Sequence, residues 1–330
     1  MVLAAVLSGC LSSGEGAAEA AAGFESISSG ATSEGAVTWY VSIPEAVAKG
    51  VADAFSGKYG IGVEMTVLTS GLLATRYSSE MSSGKSAADV VTLADPVFFK
   101  DAVAKQWVGG LDPADEPALE TWPDTALREN SYALVNIQPI GVTIDTKKAK
   151  AADFGSWEGL LAPSLKGQVY LVNPANVPSW LAHMNLLRKT YGDGFLAKLA
   201  AQSPKLVDSS VPGVQQVAAG SGTLVYPSLL SVSRPLSAKG ASVETVFPSP
   251  TTGVEQFAAV SSAAPHPNAA RLFLNFLLTE EAQKILNKGT GSSPLGNLEG
   301  TVPLPDGYVS PDVEAALAAK AEIVSGLGLG

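Results

Sequence analysis

Cysteine is all but missing from this chain: Cys10 is the only one in 330 residues. No intramolecular disulfide can form, so the fold has to be held by its apolar core. Histidine is nearly as scarce, with only His183 and His266. That inventory lacks the usual parts of a zinc site or of a histidine-activated nucleophile. No Gly-x-Ser-x-Gly elbow, His-x-x-x-His pair or Cys-x-x-Cys pair occurs. Gly220-Ser-Gly222 precedes a strand, whereas a dinucleotide fingerprint follows a strand and opens a helix. Enzyme chemistry and a bound cofactor are therefore not expected.

Positive charge is short as well. Lys and Arg total 21 against 31 Asp and Glu, a net charge of −10. An acidic chain without a basic cluster does not suit nucleic acid, and it offers no polybasic patch to a membrane surface. No run approaches the ~20 apolar residues of a membrane span. No internal repeat is present. What remains is length enough for two domains with sizeable cores and a hydrophobic content of 46%.

The most informative stretch runs from Val37 to Asp95. It reads strand, helix, strand, helix, strand: Val37–Val41, Pro44–Tyr59, Val63–Leu68, Gly71–Ser82 and Asp89–Leu93. The strands empty into polar turns at Ser42, at Thr69-Ser70-Gly71 and at Asp95-Pro96. If the strands are parallel neighbours, these turns line the carboxyl edge of a sheet, where open α/β folds bind ligands. Further on, helices are predicted over 97–106, 156–161, 179–191, 195–202, 211–219, 268–278, 280–287 and 312–325. Ser156 is a plausible N-cap for the second of these. Residues 229–239 read as helix or turn, limited by Pro235. Strands are predicted over 132–144, 169–172, 223–226, 243–247 and 255–261, with a short one at Val207. Pro139 interrupts the first of these, which reads as a long strand crossing between domains. Pro248, Pro250 and Gly253 mark a second crossing.

At the N-terminus, Leu7-Ser8-Gly9-Cys10 resembles the lipobox of bacterial lipoproteins, in which the cysteine carries the lipid. Only Met1–Leu7 precede it, less than the basic and apolar regions of a full signal peptide. Residues 1–10 are read as a remnant signal. Residues 11–35, rich in Ser, Gly, Ala and Glu, are read as a flexible tether because they offer little apolar surface to bury.

Past the tether, an ordered series of short motifs resembles the type II periplasmic solute-binding proteins of ABC importers, in the branch that includes ferric-ion binders. The series runs from Val37-Thr-Trp-Tyr through Phe55-Ser-Gly-Lys-Tyr-Gly-Ile-Gly-Val63. It continues with Ser70-Gly71, Arg76, Glu80, Ala88-Asp89-Val90-Val91, Gly110-Leu111, Ser156-Trp157, Pro163, Lys166-Gly167 and the run from Asn268 to Gln283. The resemblance implies an α/β fold of two Rossmann-like lobes joined by two hinge strands, with the ligand in the interlobe cleft. Lobe one would hold 36–138 and 250–330, and lobe two 139–249. It implies a monomeric binding component that catalyses nothing. Such a protein hands a small molecule to a membrane permease driven by a separate ATPase, and touches the membrane through its lipid alone.

For the ligand, the strand ends supply hydroxyl, amide and aromatic groups: Ser42, Ser70, Gly71, Asp95, Asn173, Asn176, Trp180, Ser209, Ser210, Tyr226 and Ser228. Several precede helices, whose N-terminal N–H groups suit an anion. A small, polar, anionic organic solute is the expectation. Each group also has a structural reading: the serines and Asp95 as helix caps, Trp180 and Tyr226 as core. Ferric iron is the first alternative. The family's ferric binders use adjacent tyrosines, and here Tyr226 stands alone before Pro227, with no histidine in the first turn. His183, on an amphipathic helix, is more simply structural. A lipid-anchored sensor built on the same closing fold is the other alternative.

Overall fold

The structure, a computed structural model, describes residues 12–329. The chain begins with α1 (Ser12–Glu34), β1 (Ala36–Val41), α2 (Glu45–Tyr59), β2 (Gly62–Val67), α3 (Ser70–Ser82), β3 (Val90–Leu93) and α4 (Pro96–Ala104). Short 3-10 turns lead to β4 (Leu127–Arg128) and β5 (Tyr132–Asp145). Then come β6 (Val169–Val172), α5 (Pro178–Tyr191), α6 (Gly194–Ala200), β7 (Lys205–Val207), α7 (Ser210–Ala218) and β8 (Leu224–Leu229). The chain continues with α8 (Leu230–Ser237), β9 (Val243–Val246), β10 (Gly253–Val260), α9 (Pro267–Leu278), α10 (Glu280–Leu286), α11 (Val313–Ala318) and α12 (Lys320–Gly326). By internal packing the chain forms two compact units. One comprises residues up to Leu93, Ala102–Ala133 and Ala258–Ala282; the other comprises Ala94–Asp101, Leu134–Phe257 and Gln283 onward.

In the first unit β1 is central, parallel to β2 on one side (Trp39 opposite Met65) and to β3 on the other (Trp39 opposite Val90). Parallel strands covered on both faces read as continuous apolar runs, and Val37, Trp39, Tyr40 and Val41 are all buried. On one face Trp39 meets Phe273 edge-on at 5.0 Å, and Phe55 meets Phe273 at 4.9 Å and Phe276 at 5.6 Å. Helix α9 is therefore apolar over most of its surface. Nine of its twelve residues are buried.

The flexible tether expected over 11–35 is corrected by α1, which packs on α9 within this unit. Ile27 and Ala31, one helical turn apart, are 7% and 0% exposed. Gly30 allows the approach, because a Cβ there would come within 2.6 Å of the Asn268 side chain. The Glu34 carboxylate accepts from the Asn268 and Ala269 backbone N–H groups at 3.2 and 2.7 Å and from Asn268 Nδ2 at 2.7 Å. It thereby caps α9 from outside the helix, where a negative charge is favourable. Low apolar content misled the sequence reading: α9 brings the apolar partner, so two buried side chains and a cap suffice, and the alanines already favour helix.

In the second unit β8 is parallel to β6, and β6 to β7, while β5 runs antiparallel to both β8 and β9. Strand β5 continues through Pro139 without a break. At Gly141 the β9 carbonyl of Val246 leaves no space for a Cβ, so the position needs glycine; beside it the pairing with β8 shifts register. Helix α5 buries Trp180, Leu181, Ala182, Met184 and Leu187 in two core clusters, and buries His183 as well.

Most predicted elements lie within a residue or two of those observed. Residues 156–161 form a 3-10 turn, Trp157–Leu161, and the Ser156 side chain does not cap it. The tail helix divides at Ala319 into α11 and α12, with Asp312 capping α11 through the Ala315 N–H at 3.1 Å.

Candidate functional site

Within the first unit, parallel pairing brings the ends of β1 and β2 to one edge. Ser42 follows β1 directly, and its N–H donates to the Thr92 carbonyl of β3 at 2.9 Å. Ser70 opens α3 two residues beyond Leu68, whose N–H donates to the Val41 carbonyl at 3.2 Å. The two side chains meet: Ser70 Oγ donates to Ser42 Oγ at 3.0 Å, and both residues are half-buried. Thr69 holds the N-cap position of α3 in extended conformation without a side-chain cap bond. Gly71 is exposed, and a Cβ there would meet nothing within 4 Å. Leu72 beside it is 58% exposed. The edge thus presents paired hydroxyls, a helix N-terminus and open space at Gly71, a combination that suits an oxyanion.

Asp95, two residues beyond β3, belongs by packing to the second unit. Its Oδ1 accepts from the Phe98 N–H at 3.0 Å and its carbonyl from the Phe99 N–H at 3.3 Å. It caps α4, which is its structural reading.

The second unit gathers a different set. Asn173 follows β6; its N–H donates to the Val207 carbonyl of β7 at 3.0 Å, and its Oδ1 accepts from the Ala175 N–H at 3.0 Å. Asn176 Nδ2 donates to the Asp208 carbonyl at 3.2 Å. Ser209, exposed, precedes α7 without a side-chain cap bond, while Ser210 is buried. Asn173, Asn176 and Ser209 therefore share one edge, with Asn176 and Ser209 exposed.

Three other predicted residues are drawn into the framework instead. Trp180 is 5% exposed and packs among Tyr170, Val172 and Val225. Tyr226 is fully buried, its ring 5.1 Å from that of Trp157 and its hydroxyl donating to Met184 Sδ at 3.6 Å. Burial pushes the Tyr226 phenol well above the usual tyrosine range, so the group stays protonated and sealed from solvent. Ser228 is also fully buried. Its hydroxyl bonds Thr143 Oγ1 at 2.7 Å, which bonds Thr245 Oγ1 at 2.8 Å, which bonds Ser233 Oγ at 2.5 Å. No local pattern marks this row of hydroxyls, because its members lie up to 102 residues apart.

His183 is completely buried, T-shaped against Trp157 at 4.6 Å, with Nδ1 3.3 Å from Thr252 Oγ1 and Nε2 without a partner. Burial drives its pKa down to about 3, so it is a neutral core residue. His266 is held by Asp89: its N–H and Nδ1 lie 2.7 and 2.9 Å from the carboxylate. Among the described residues no three His, Cys, Asp or Glu side chains group as metal ligands. Cys10 lies outside the described residues.

Both units are α/β units whose strand-end turns carry hydroxyls, amides and helix N-termini. The chain belongs to the family of bacterial extracellular solute-binding proteins, whose profile matches residues 38–289. Proteins of that family bind solutes outside the cytoplasm and are not enzymes. Solved structures share the fold. Iron-bound HitA from Pseudomonas aeruginosa is 20% identical with a TM-score of 0.67, covering 89% of this chain and 97% of its own. The substrate-binding protein of an ABC transporter from Agrobacterium tumefaciens is 17% identical with a TM-score of 0.71, covering 88% and 94%. AfuA from Actinobacillus pleuropneumoniae, with exogenous fructose-6-phosphate bound, is 19% identical with a TM-score of 0.64, covering 89% and 99%. Both the two-lobed periplasmic-binding fold and the absence of enzyme function agree with the sequence reading. No described helix is long and apolar enough to cross a membrane.

Proposed function

We propose that the chain is the extracytoplasmic binding component of an ABC importer. It captures a small, polar, anionic organic solute and passes it to a membrane permease driven by a separate ATPase. The observation that carries this reading is the first unit's edge, where Ser42 and Ser70 hydroxyls meet at 3.0 Å beside the uncapped start of α3. The second unit offers Asn173 and Ser209 on its own strand edge. Solute binding by the family supports the role, and the ABC-transporter and sugar-phosphate-bound relatives support the transport and anion assignments. A lipid on Cys10 would hold the protein at the outer face of the cytoplasmic membrane as a monomer.

The ferric alternative draws on the iron-bound relative, but Tyr226, the phenol it would use, is buried against Met184. A thermal-shift screen of the whole chain against carboxylates, phosphonates, sulfonates and Fe3+ tests the order of the two. A ligand that binds only the folded state raises the midpoint by mass action. An organic anion is expected to do so. A shift with Fe3+ and none with organic acids would reverse the assignment.

A further inference from the structure

The approach of Ser70 to Ser42 depends on where α3 lies along β1, and one carboxylate inside the first unit bonds to both elements. Glu80, near the far end of α3, has 19% of its side chain exposed. It accepts from the hydroxyl of buried Tyr40 of β1 at 2.9 and 3.1 Å and from Arg76 Nε, one turn earlier on α3, at 2.8 Å. It also accepts from the Ala87 N–H at 3.4 Å, in the loop that feeds β3. The Arg76 guanidinium lies 4.8 Å over the Tyr40 ring, a favourable cation–π arrangement that closes the cluster. A single acid group therefore ties β1, α3 and the approach to β3. Lys85 N–H and Ser83 Oγ bond the Glu80 carbonyl as well, at 3.0 and 2.9 Å. On the other flank of α3, buried Tyr77 donates to the Trp107 carbonyl at 2.6 Å, which holds the helix laterally.

We infer that Glu80 is a positioning residue for the solute site: with Tyr40 and Arg76 it sets the register of α3 against β1 and so brings Ser70 to Ser42. The inference rests on the function proposed above, since it assigns Glu80 to the same edge. Charge-assisted hydrogen bonds to an ionised carboxylate are about twice as strong as neutral ones, and here several converge on one group. Tyr40 agrees with the geometry, because burial and then the Glu80 hydrogen bond raise its phenol above the usual range, keeping it protonated and donating. Solvent-exposed ion pairs contribute little, so the Arg76 partner matters less than the Tyr40 hydroxyl.

The test measures register directly. In the whole chain with Cys10→Ser, the pair Ser42→Cys and Ser70→Cys is equilibrated with oxidised and reduced glutathione. The Oγ separation of 3.0 Å puts the two thiols within reach of a disulfide, and the exchange constant reports their effective concentration. Adding Glu80→Ala should lower it about tenfold, since effective concentration falls steeply with misplacement. Tyr40→Phe should lower it less. Glu80→Gln, whose amide oxygen still accepts from Tyr40 and Ala87, should recover most of the loss. Glu34→Ala, which weakens the same unit at α9, should leave it unchanged. Unchanged closure in Glu80→Ala, or an equal loss in Glu34→Ala, would overturn the inference. A parallel calorimetric titration with citrate and with inorganic phosphate, native serines in place, should show Glu80→Ala weakening whichever anion the unaltered chain binds. Failure of the unaltered chain to bind either anion would count against the proposed function, while the glutathione result would still decide the register.

Discussion

The two strand edges carry similar residues put to different uses. In the first unit Ser42 and Ser70 bond each other and remain half-exposed beside the open Gly71. In the second, the β8 edge consumes its polar groups internally: Ser228 enters a row of buried hydroxyls and Tyr226 reaches a methionine sulfur. Only β6 and β7, further along the same sheet, leave Asn173 and Ser209 near solvent. A polar side chain at the carboxyl end of a strand is therefore not yet a ligand group. What separates the two uses is burial: Ser42 and Ser70 are half-buried, whereas Tyr226 and Ser228 are sealed in the core.

The largest effect is expected at the N-terminal helix of the first unit. Deleting residues 1–35 removes from the first unit the burial of Ile27, about 1.5–3 kcal/mol, and the Glu34 cap on α9, about 1 kcal/mol. Chemical denaturation should show a loss of about 2.5–4 kcal/mol; an unchanged midpoint would restore the picture of a loose tether.

His183 gives the second unit its own signature. Its folded pKa of about 3 lies below the unfolded value of 6.5, so the unfolded chain binds the extra proton. The stability this provides is complete above pH 6.5 and is lost as pH falls toward 3, by about 1.4 kcal/mol per unit. Denaturation at pH 6.5 and 4.5 should reveal the slope, and His183→Leu should flatten it.

Smaller effects sharpen the contrast between serines. Ser228→Ala should cost about 1–3 kcal/mol of stability by leaving the buried Thr143 hydroxyl short of a partner, with solute affinity unchanged. Ser70→Ala should do the reverse, shifting stability by less than about 0.5 kcal/mol while weakening solute binding. Equal behaviour of the two variants in both assays would erase the distinction.

Much of this was legible in the residues. The strands at Val37–Val41 and Asp89–Leu93 are read from the alternation with helices, and the structure pairs them parallel and buries most of their side chains. The Ser42 and Ser70 turns follow from strand ends alone. Helix α1 was not legible, since its stability resides in α9, over 230 residues away. Nor were the roles of Tyr226 and Ser228: the alternation that marks a strand says which side chains are inward, but not whether the inward space is core or site. Glu80 stood out in the motif series, yet its Tyr40 partner lies 40 residues earlier, and only the fold joins them.

The first unit's edge is proposed to take the solute. A thermal-shift titration of the unaltered chain and of Ser70→Ala, run in parallel with an organic acid from the screen and with Fe3+, addresses it most directly. The expected result is a rise in midpoint with the organic acid in the unaltered chain, a much smaller rise in Ser70→Ala, and none with Fe3+ in either. A full rise retained by Ser70→Ala, or a rise with Fe3+ alone, would contradict it.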